Sequence, residues 1–137
     1  AIGPREGVPA AISRCLDDEV VEMRQRAANS LGKLGPDAAW TTPSIVKLFN
    51  EENQSVRSAA ISAIADLAPA SKQAIPALIQ LLSHNEPQTR RAAINALAKF
   101  GNEAASALDT LKNIAENDAF DYNRLAAQKA IEAIEGT

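Results

Sequence analysis

The sequence predicts an all-α fold, an α-solenoid of about four helix pairs with eight antiparallel helices. The segment that starts at Val56 recurs 33 residues earlier at Met23, 33 residues later at Thr89 and, displaced by 34, at Asn123. Such a period is typical of stacked helical repeats. Apolar residues within each copy follow three- and four-residue spacing, which is the period of an amphipathic helix. Proline and glycine recur at fixed places between the copies and predict breaks between helices.

Composition limits the function classes. The chain has 137 residues, of which 46% are hydrophobic but only 4% aromatic. The formal net charge of −3 argues against a nucleic-acid partner or a polybasic membrane contact. No apolar run is long enough to predict a membrane span. The charge is uneven, with +3 over residues 69–101 and −4 over residues 102–137, which either steers a partner or reflects solvated faces.

The repeats form one predicted array, with units at about residues 3–35, 36–68, 69–101 and 102–137. The opening residues 1–4 match residues 33–36, which end a repeat. We therefore expect this chain to be the C-terminal part of a longer array. No signal peptide is visible, but its absence says little about the compartment. The location is unknown from the sequence, with a cytoplasmic one favoured.

Each first helix follows a Pro-containing segment. Pro9, Pro43 and Pro76 are expected in the first turn, where the missing N–H costs little, and Asp109 takes that place in the fourth repeat. The first of these helices is predicted from Val8 to Leu16. The predicted inward residues of the four first helices are Ile12, Cys15 and Leu16; Ile45, Leu48 and Phe49; Leu78, Leu81 and Leu82; and Leu111, Ile114 and Ala115.

Short polar links follow the first helices and force the two helices of a pair to be antiparallel. The second helices are predicted to begin near Val20, Asn53, Glu86 and Phe120 and to end near Leu34, Leu67, Phe100 and Ile134. Their predicted inward residues are Ala27, Leu31 and Leu34; Ala60, Ile64 and Leu67; Ala93, Leu97 and Phe100; and Ala127, Ile131 and Ile134.

The whole pattern resembles HEAT repeats of the short bacterial kind found in phycobilisome-lyase-type proteins. The residues that carry this resemblance are Val56 and Arg57 with Ala60 and their counterparts, the ending from Leu31 to Pro36, and the proline that opens each first helix. The resemblance implies a solenoid whose second helices line the concave side. It also implies a family that contains scaffolds, adaptors and a few enzymes.

The fourth repeat departs from the pattern as a terminal cap would. Lys112 occupies the position that is apolar at Val46 in the second repeat, and Gln128 occupies the position that is apolar at Ile61. A last repeat needs a polar outer face because no neighbour covers it. The first repeat has no such cap, so we expect exposed apolar surface and self-association at the N-terminal end.

An arginine recurs in every second helix, at Arg24, Arg57, Arg90 and Arg124. One hypothesis is that these arginines form a row that binds phosphate groups. The resemblance to HEAT repeats favours the other, in which each guanidinium bonds carbonyls or acids between adjacent repeats. We favour this structural role, since a residue repeated in every unit usually serves stacking.

The outward face of the second helices is the predicted partner site, because its residues vary between repeats while the core does not. A solvated face with no partner varies in the same way, and this is the alternative. Arg91 and Tyr122 are the expected anchors, since Arg and Tyr are enriched at binding hot spots. The predicted partner-binding residues are Gln25, Asn29, Ser58, Ser62, Arg91, Asn95, Tyr122 and Lys129.

The remaining candidates do not form a catalytic pattern. Trp40 is interpreted as packing over the Gly35–Pro36 turn, with a partner anchor as the alternative. His84 lies in a link, and one histidine with a nearby acid falls short of the three ligands that zinc sites use. The single cysteine, Cys15, excludes an internal disulfide and is predicted to be a small core residue. The sequence predicts no catalytic residue, no cofactor and no metal site.

Three functions are carried forward. The favoured one is a non-enzymatic scaffold or adaptor that binds another protein on the concave face. The alternative, which rests on the resemblance alone, is a bilin-lyase-like module that acts on a tetrapyrrole-carrying partner protein. The second alternative is a nucleic-acid-binding HEAT-like module. It needs a continuous basic groove, whereas the sequence clusters only Lys72, Arg90, Arg91 and Lys99.

Overall fold

The computed structural model describes residues 7–136, and these form eight α-helices joined by turns and short 3₁₀ segments, with no β-strand among them. Neither the predicted repeat start at residue 3 nor the match of residues 1–4 to a repeat end lies within the described residues. The helices are α1 (Gly7–Arg14), α2 (Val21–Leu34), α3 (Thr42–Val46), α4 (Gln54–Asp66), α5 (Ile75–Leu81), α6 (Pro87–Ala98), α7 (Leu108–Asn117) and α8 (Asp121–Glu135).

The chain divides into two compact units, Ala1–Ala74 and Ile75–Thr137. In the first unit α1 packs on α2 and α3 on α4. In the second unit α5 packs on α6 and α7 on α8. The prolines predicted at the start of the first helices lie in the first turns of α1, α3 and α5, and Asp109 lies in the first turn of α7.

The second helices begin where the sequence predicts. A residue in extended conformation ends each link and stops the preceding turn from continuing into the helix. These residues are Val20, Asn53, Glu86 and Phe120, and each is the N-cap of the helix that follows. Asn53 also caps through its side chain, whose Oδ1 accepts a bond of 3.1 Å from the N–H of Val56. Such a bond satisfies one of the N–H groups that a helix start leaves without a partner.

The core of the first unit forms where α2 lies against α4. A Cβ atom at Gly32 would lie only 3.0 Å from Cα of Ala63, so glycine permits the close approach of the two backbones. Burial of the surrounding aliphatic side chains supplies the main stabilisation. The large buried side chains of this unit are Leu16, Leu31, Ile45, Leu48, Phe49, Val56, Ile61, Ile64 and Leu67.

The second unit is built in the same way, with α8 packed against both α6 and α7. Small residues between the helices, such as Ala93, Ala127 and Ala130, are fully or almost fully buried and keep the helices close. The large buried side chains of this unit are Ile75, Leu78, Leu81, Leu82, Ile94, Leu97, Phe100, Leu111, Ile114 and Ile134.

Of the predicted inward residues, Leu34 is exposed, and Ile12, Cys15, Ala115 and Ile131 are only half-buried. Leu34 is 39% exposed, although its counterpart Leu67 is buried, because no earlier helix pair among the described residues covers it. Cys15 is only half-buried at the end of a short first helix, with its Sγ 3.9 Å from the carbonyl of Ala11. Val20 and Met23 are also exposed, so this end of the unit carries the apolar surface that the sequence predicts. Self-association there stays a prediction.

The polar substitutions of the fourth repeat lie on the surface. Gln128 is exposed where its counterparts Ile61 and Ile94 are buried. Lys112 is also exposed, and its Nζ lies 3.5 Å from a carboxylate oxygen of Glu135. An exposed ion pair of this kind adds little stability, but it gives this face of α7 and α8 a polar character.

Ile64→Asp should unfold the first unit, while Ser62→Asp on the same helix should change little. Ile64 is fully buried and would place an unpaired charge in the core, which costs on the order of 4 kcal/mol. Ser62 is exposed, and a surface change of this kind costs about 0.5 kcal/mol or less. Thermal melts followed by circular dichroism measure both. Equal losses would show that the two faces of α4 are assigned wrongly.

Candidate functional site on the second helices

The recurrent arginine of each second helix closes the link that precedes it. In all four repeats Nη1 donates to the carbonyl oxygen of the link residue six positions earlier, and in the first three repeats it also donates to the next carbonyl. The pairs are Arg24 with Asp18 and Glu19, Arg57 with Glu51 and Glu52, Arg90 with His84 and Asn85, and Arg124 with Asp118.

Two of these arginines also reach an acid on the next link. Arg24 donates through Nη2 to a carboxylate oxygen of Glu51 at 2.8 Å. Arg90 donates from Nε and Nη2 to the two carboxylate oxygens of Asp118, at 2.9 and 3.2 Å. Bidentate pairs of this kind are stronger and more directional than single bonds. The structural interpretation of these two arginines is therefore confirmed.

Asp118 is held by several donors. Its side chain is 4% exposed, and besides Arg90 it accepts bonds from the N–H of Phe120 at 3.0 Å and from Nδ2 of Asn123 at 3.4 Å. Burial raises the pKa of this carboxyl, but the hydrogen bonds and the charge of Arg90 outweigh burial, so the pKa lies below its ordinary value of 3.8. The carboxylate is thus kept charged.

A shallow groove lies between α2 and α4 in the first unit. Its volume is about 480 Å³, and every residue that lines it is uncharged. It brings together four of the predicted partner-binding residues, two from each helix. The lining residues are Gln25, Asn29, Gln54, Ser55, Ser58, Ala59 and Ser62.

A second groove, which we call the α6/α8 groove, lies in the second unit. It has a volume of about 210 Å³ and brings together the other four predicted partner-binding residues, namely Arg91, Asn95, Tyr122 and Lys129. The guanidinium carbon of Arg91 lies over the Tyr122 ring, 5.2 Å from its centre, which is within cation–π range. The remaining lining residues are Ala98, Leu125, Ala126 and Ala130.

The other candidates lie away from these grooves. Trp40 is half-buried in the 3₁₀ segment Gly35–Thr41. His84 accepts a bond at Nδ1 from the N–H of Glu86 at 3.0 Å, so it orders the link before α6. No cluster of three metal-binding side chains occurs in the part of the chain that the structure describes. Among residues 7–136 no helix is long and apolar enough to cross a membrane.

The sequence reasoning did not identify Glu51 and Asp118 as the acids that pair with the arginines. A signal was present, because Asp18, Glu51, His84 and Asp118 occupy one column at spacings of 33, 33 and 34 residues. In three of the four repeats this column holds an acid. The same column supplies the carbonyl that each arginine binds.

Comparison with known proteins identifies the repeat type. The family described as HEAT repeats matches residues 41–132, which is more than half of the chain. A search of curated proteins found no match.

Three solved structures with similar folds are each about one-fifth identical to this chain in sequence. A designed armadillo repeat protein in complex with the peptide (KR)4 has a TM-score of 0.74 at 20% identity, covering 90% of this chain and 62% of that one. An engineered protein has a TM-score of 0.75 at 19% identity, with coverages of 96% and 65%.

The structure of the complex of CpcE and CpcF, of phycocyanin lyase from Nostoc sp. PCC7120, is also similar. Its TM-score is 0.75 at 20% identity, and the match covers 96% of this chain and 55% of that one. These similarities establish an all-α solenoid fold. The chain spans less than two thirds of the length of each of these three structures.

Asp118→Asn should destabilise the second unit in a pH-dependent way. Loss of a charged partner that accepts several bonds costs about 2 kcal/mol at neutral pH. Because the folded-state pKa lies below the unfolded value, this contribution is present above about pH 4 and is lost as the pH falls through the folded-state pKa. Thermal melts should therefore show a gap between wild type and variant that shrinks in acid.

The matched control for this experiment is Glu132→Gln, which removes one carboxylate from an exposed position on α8. It should melt like wild type at neutral pH. A gap between wild type and Asp118→Asn that stayed constant from pH 7 to pH 3 would contradict the role of the Asp118 charge.

Proposed function

Because the chain belongs to the HEAT-repeat family, we propose that it is a non-enzymatic scaffold or adaptor that binds a partner protein on the exposed face of its second helices. The observation that carries this proposal is the gathering of the eight variable residues into two grooves, four in each unit. A face that differs from repeat to repeat over a constant core is what selection for a particular partner would leave.

Exposure supports the same face. Asn29, Ser62, Asn95 and Lys129 are exposed, and Gln25 is half-buried. The four exposed side chains are therefore not used for packing between helices. Within the set of eight, the residues of types enriched at protein interfaces are Tyr122 and Arg91.

The two grooves differ in what they offer a partner. The groove of the first unit presents amides and hydroxyls, which suit hydrogen bonds to a polar surface. The α6/α8 groove presents Arg91 against Tyr122, which suits an anchor contact. We therefore place the energetic centre of partner binding in the second unit.

Photo-crosslinking from this face should capture the partner. With benzoylphenylalanine at Asn95 or Ser62, the chain incubated in source-cell lysate should yield a product of defined mass. The same group at Lys47, which is exposed on the segment after α3, should yield none. Adding Arg91→Glu with Tyr122→Ala should abolish the product from position 95, because both anchors are lost.

Folding of each variant is checked by circular dichroism, since both anchors are exposed and their replacement should leave the core intact. Equal products from positions 47 and 95 would place the partner elsewhere on the chain. So would a product at position 95 that survives the double replacement.

A second candidate function is favoured by the fold similarity to the complex of CpcE and CpcF of phycocyanin lyase. In that case the chain would act on a tetrapyrrole-carrying partner protein. Adding a bilin such as phycocyanobilin to the purified chain would then shift and sharpen the visible absorbance of the pigment. The scaffold proposal expects the spectrum of the pigment to be unchanged, and a titratable shift would favour the lyase-like module.

A further inference from the structure

The α6/α8 groove carries positive charge without a matching acid. Its lining contains Arg91 and Lys129 but no Asp or Glu. Neither cation forms an ion pair within residues 7–136, whereas the neighbouring Arg90 is paired with Asp118. A cation–π contact with Tyr122 orients the Arg91 side chain, and the N–H donors of its guanidinium are of the kind that binds a carboxylate.

The same groove exposes apolar surface that the helix pair does not need. Leu125 is 51% exposed and Tyr122 is 38% exposed. The positions that correspond to Leu125 in the other repeats hold Gln25, Ser58 and Arg91, so the fold accepts polar residues there. An exposed leucine beside a tyrosine offers a contact for one large apolar side chain.

The geometry sets a spacing for a ligand. Tyr122 and Lys129 are seven residues apart on α8, which is about 10 Å of helix. Arg91 lies over the Tyr122 ring, and Leu125 lies between Tyr122 and Lys129 along α8, so a ligand that reaches both cations spans on the order of 10 Å. In an extended peptide every second side chain lies on the same face, and the chain advances about 3.3 Å per residue, so positions i and i+4 share a face about 13 Å apart. Two glutamate side chains at these positions would reach both cations, with position i+2 between them on the same face.

We infer that the α6/α8 groove binds an extended acidic segment of a partner protein, in which carboxylates at positions i and i+4 flank a large apolar side chain at position i+2. Arg91 and Lys129 bind the carboxylates, while Tyr122 and Leu125 contact the apolar side chain. This inference rests on the proposed protein-binding function and adds the chemistry of the partner. Its basis is charge complementarity, since the groove holds cations that nothing in its own lining neutralises.

Fluorescence anisotropy tests the inference with a labelled Gly-Ser-Glu-Ser-Leu-Ser-Glu-Ser-Gly peptide at low ionic strength. The wild-type chain should bind it saturably, and binding should weaken as salt rises. The peptide with glutamine in place of both glutamates should bind at least tenfold more weakly, as should the peptide with serine in place of leucine. Arg91→Glu with Lys129→Glu should weaken binding of the original peptide at least tenfold.

The matched control is Lys33→Glu with Lys47→Glu, which makes the same change in net charge at two exposed positions of the first unit. It should bind the peptide like wild type. Equal losses in the two double variants would show an effect of net charge alone and would overturn the inference. So would equal binding of the glutamate and glutamine peptides, or no binding of the peptide at all.

A labelled oligothymidylate separates an acidic peptide from a nucleic acid. Saturable binding of the oligonucleotide, with none of the peptide, would assign the groove to phosphate and overturn the inference. If crosslinking from Asn95 captures a partner while the peptide fails to bind, the proposed function stands and the acidic specificity is wrong. If the peptide binds and no crosslink forms, the groove chemistry is right and the scaffold function is wrong.

Discussion

The bond between the recurrent arginine and the link before its own helix is the interaction on which the rest of the structure depends. Each link is only a few residues long, and its carbonyl groups lack the partners that a regular helix would supply. The guanidinium satisfies these carbonyls from within the second helix, as Arg57 does with Glu51 and Glu52. The link is thereby held in one conformation, and the two helices of a pair are fixed against each other.

The same arginine couples one pair to the next inside each unit. Arg24 reaches Glu51, and Arg90 reaches Asp118, so a single side chain orders its own link and contacts the following one. The arginine that joins adjacent helix pairs occupies a single, buried or half-buried position in each second helix. The outward positions of the second helices are therefore not needed for stacking. They are available to vary, and it is there that the two grooves lie.

The sequence predicted the parts of this arrangement that depend on local patterns. The starts of the second helices at Val20, Asn53, Glu86 and Phe120 were predictable because each polar link is short and is followed at once by an amphipathic pattern. The exposure of Leu34 was not predictable. The helical period shows on which side of a helix a residue lies, but it does not show whether a neighbouring helix covers that side. The pairing of Arg90 with Asp118 joins residues 28 positions apart, and only packing decides it. The pairing of Arg91 with the Tyr122 ring was missed for the same reason, although both residues were predicted to be exposed.

The charge of the fourth repeat gives the α6/α8 groove a specificity that its two cations alone would lack. Residues 102–137, which include α8, carry −4 in a chain of −3, so a long polyanion is repelled by the chain as a whole more strongly than a short segment with two carboxylates. Repulsion of this kind excludes a wrong partner as effectively as an attractive contact selects a right one. A short segment with two carboxylates and an apolar side chain matches the two cations and the exposed Leu125 and Tyr122 of the groove without carrying further charge. The net charge therefore favours a compact acidic motif over a nucleic-acid strand, although both carry the sign that the two cations attract.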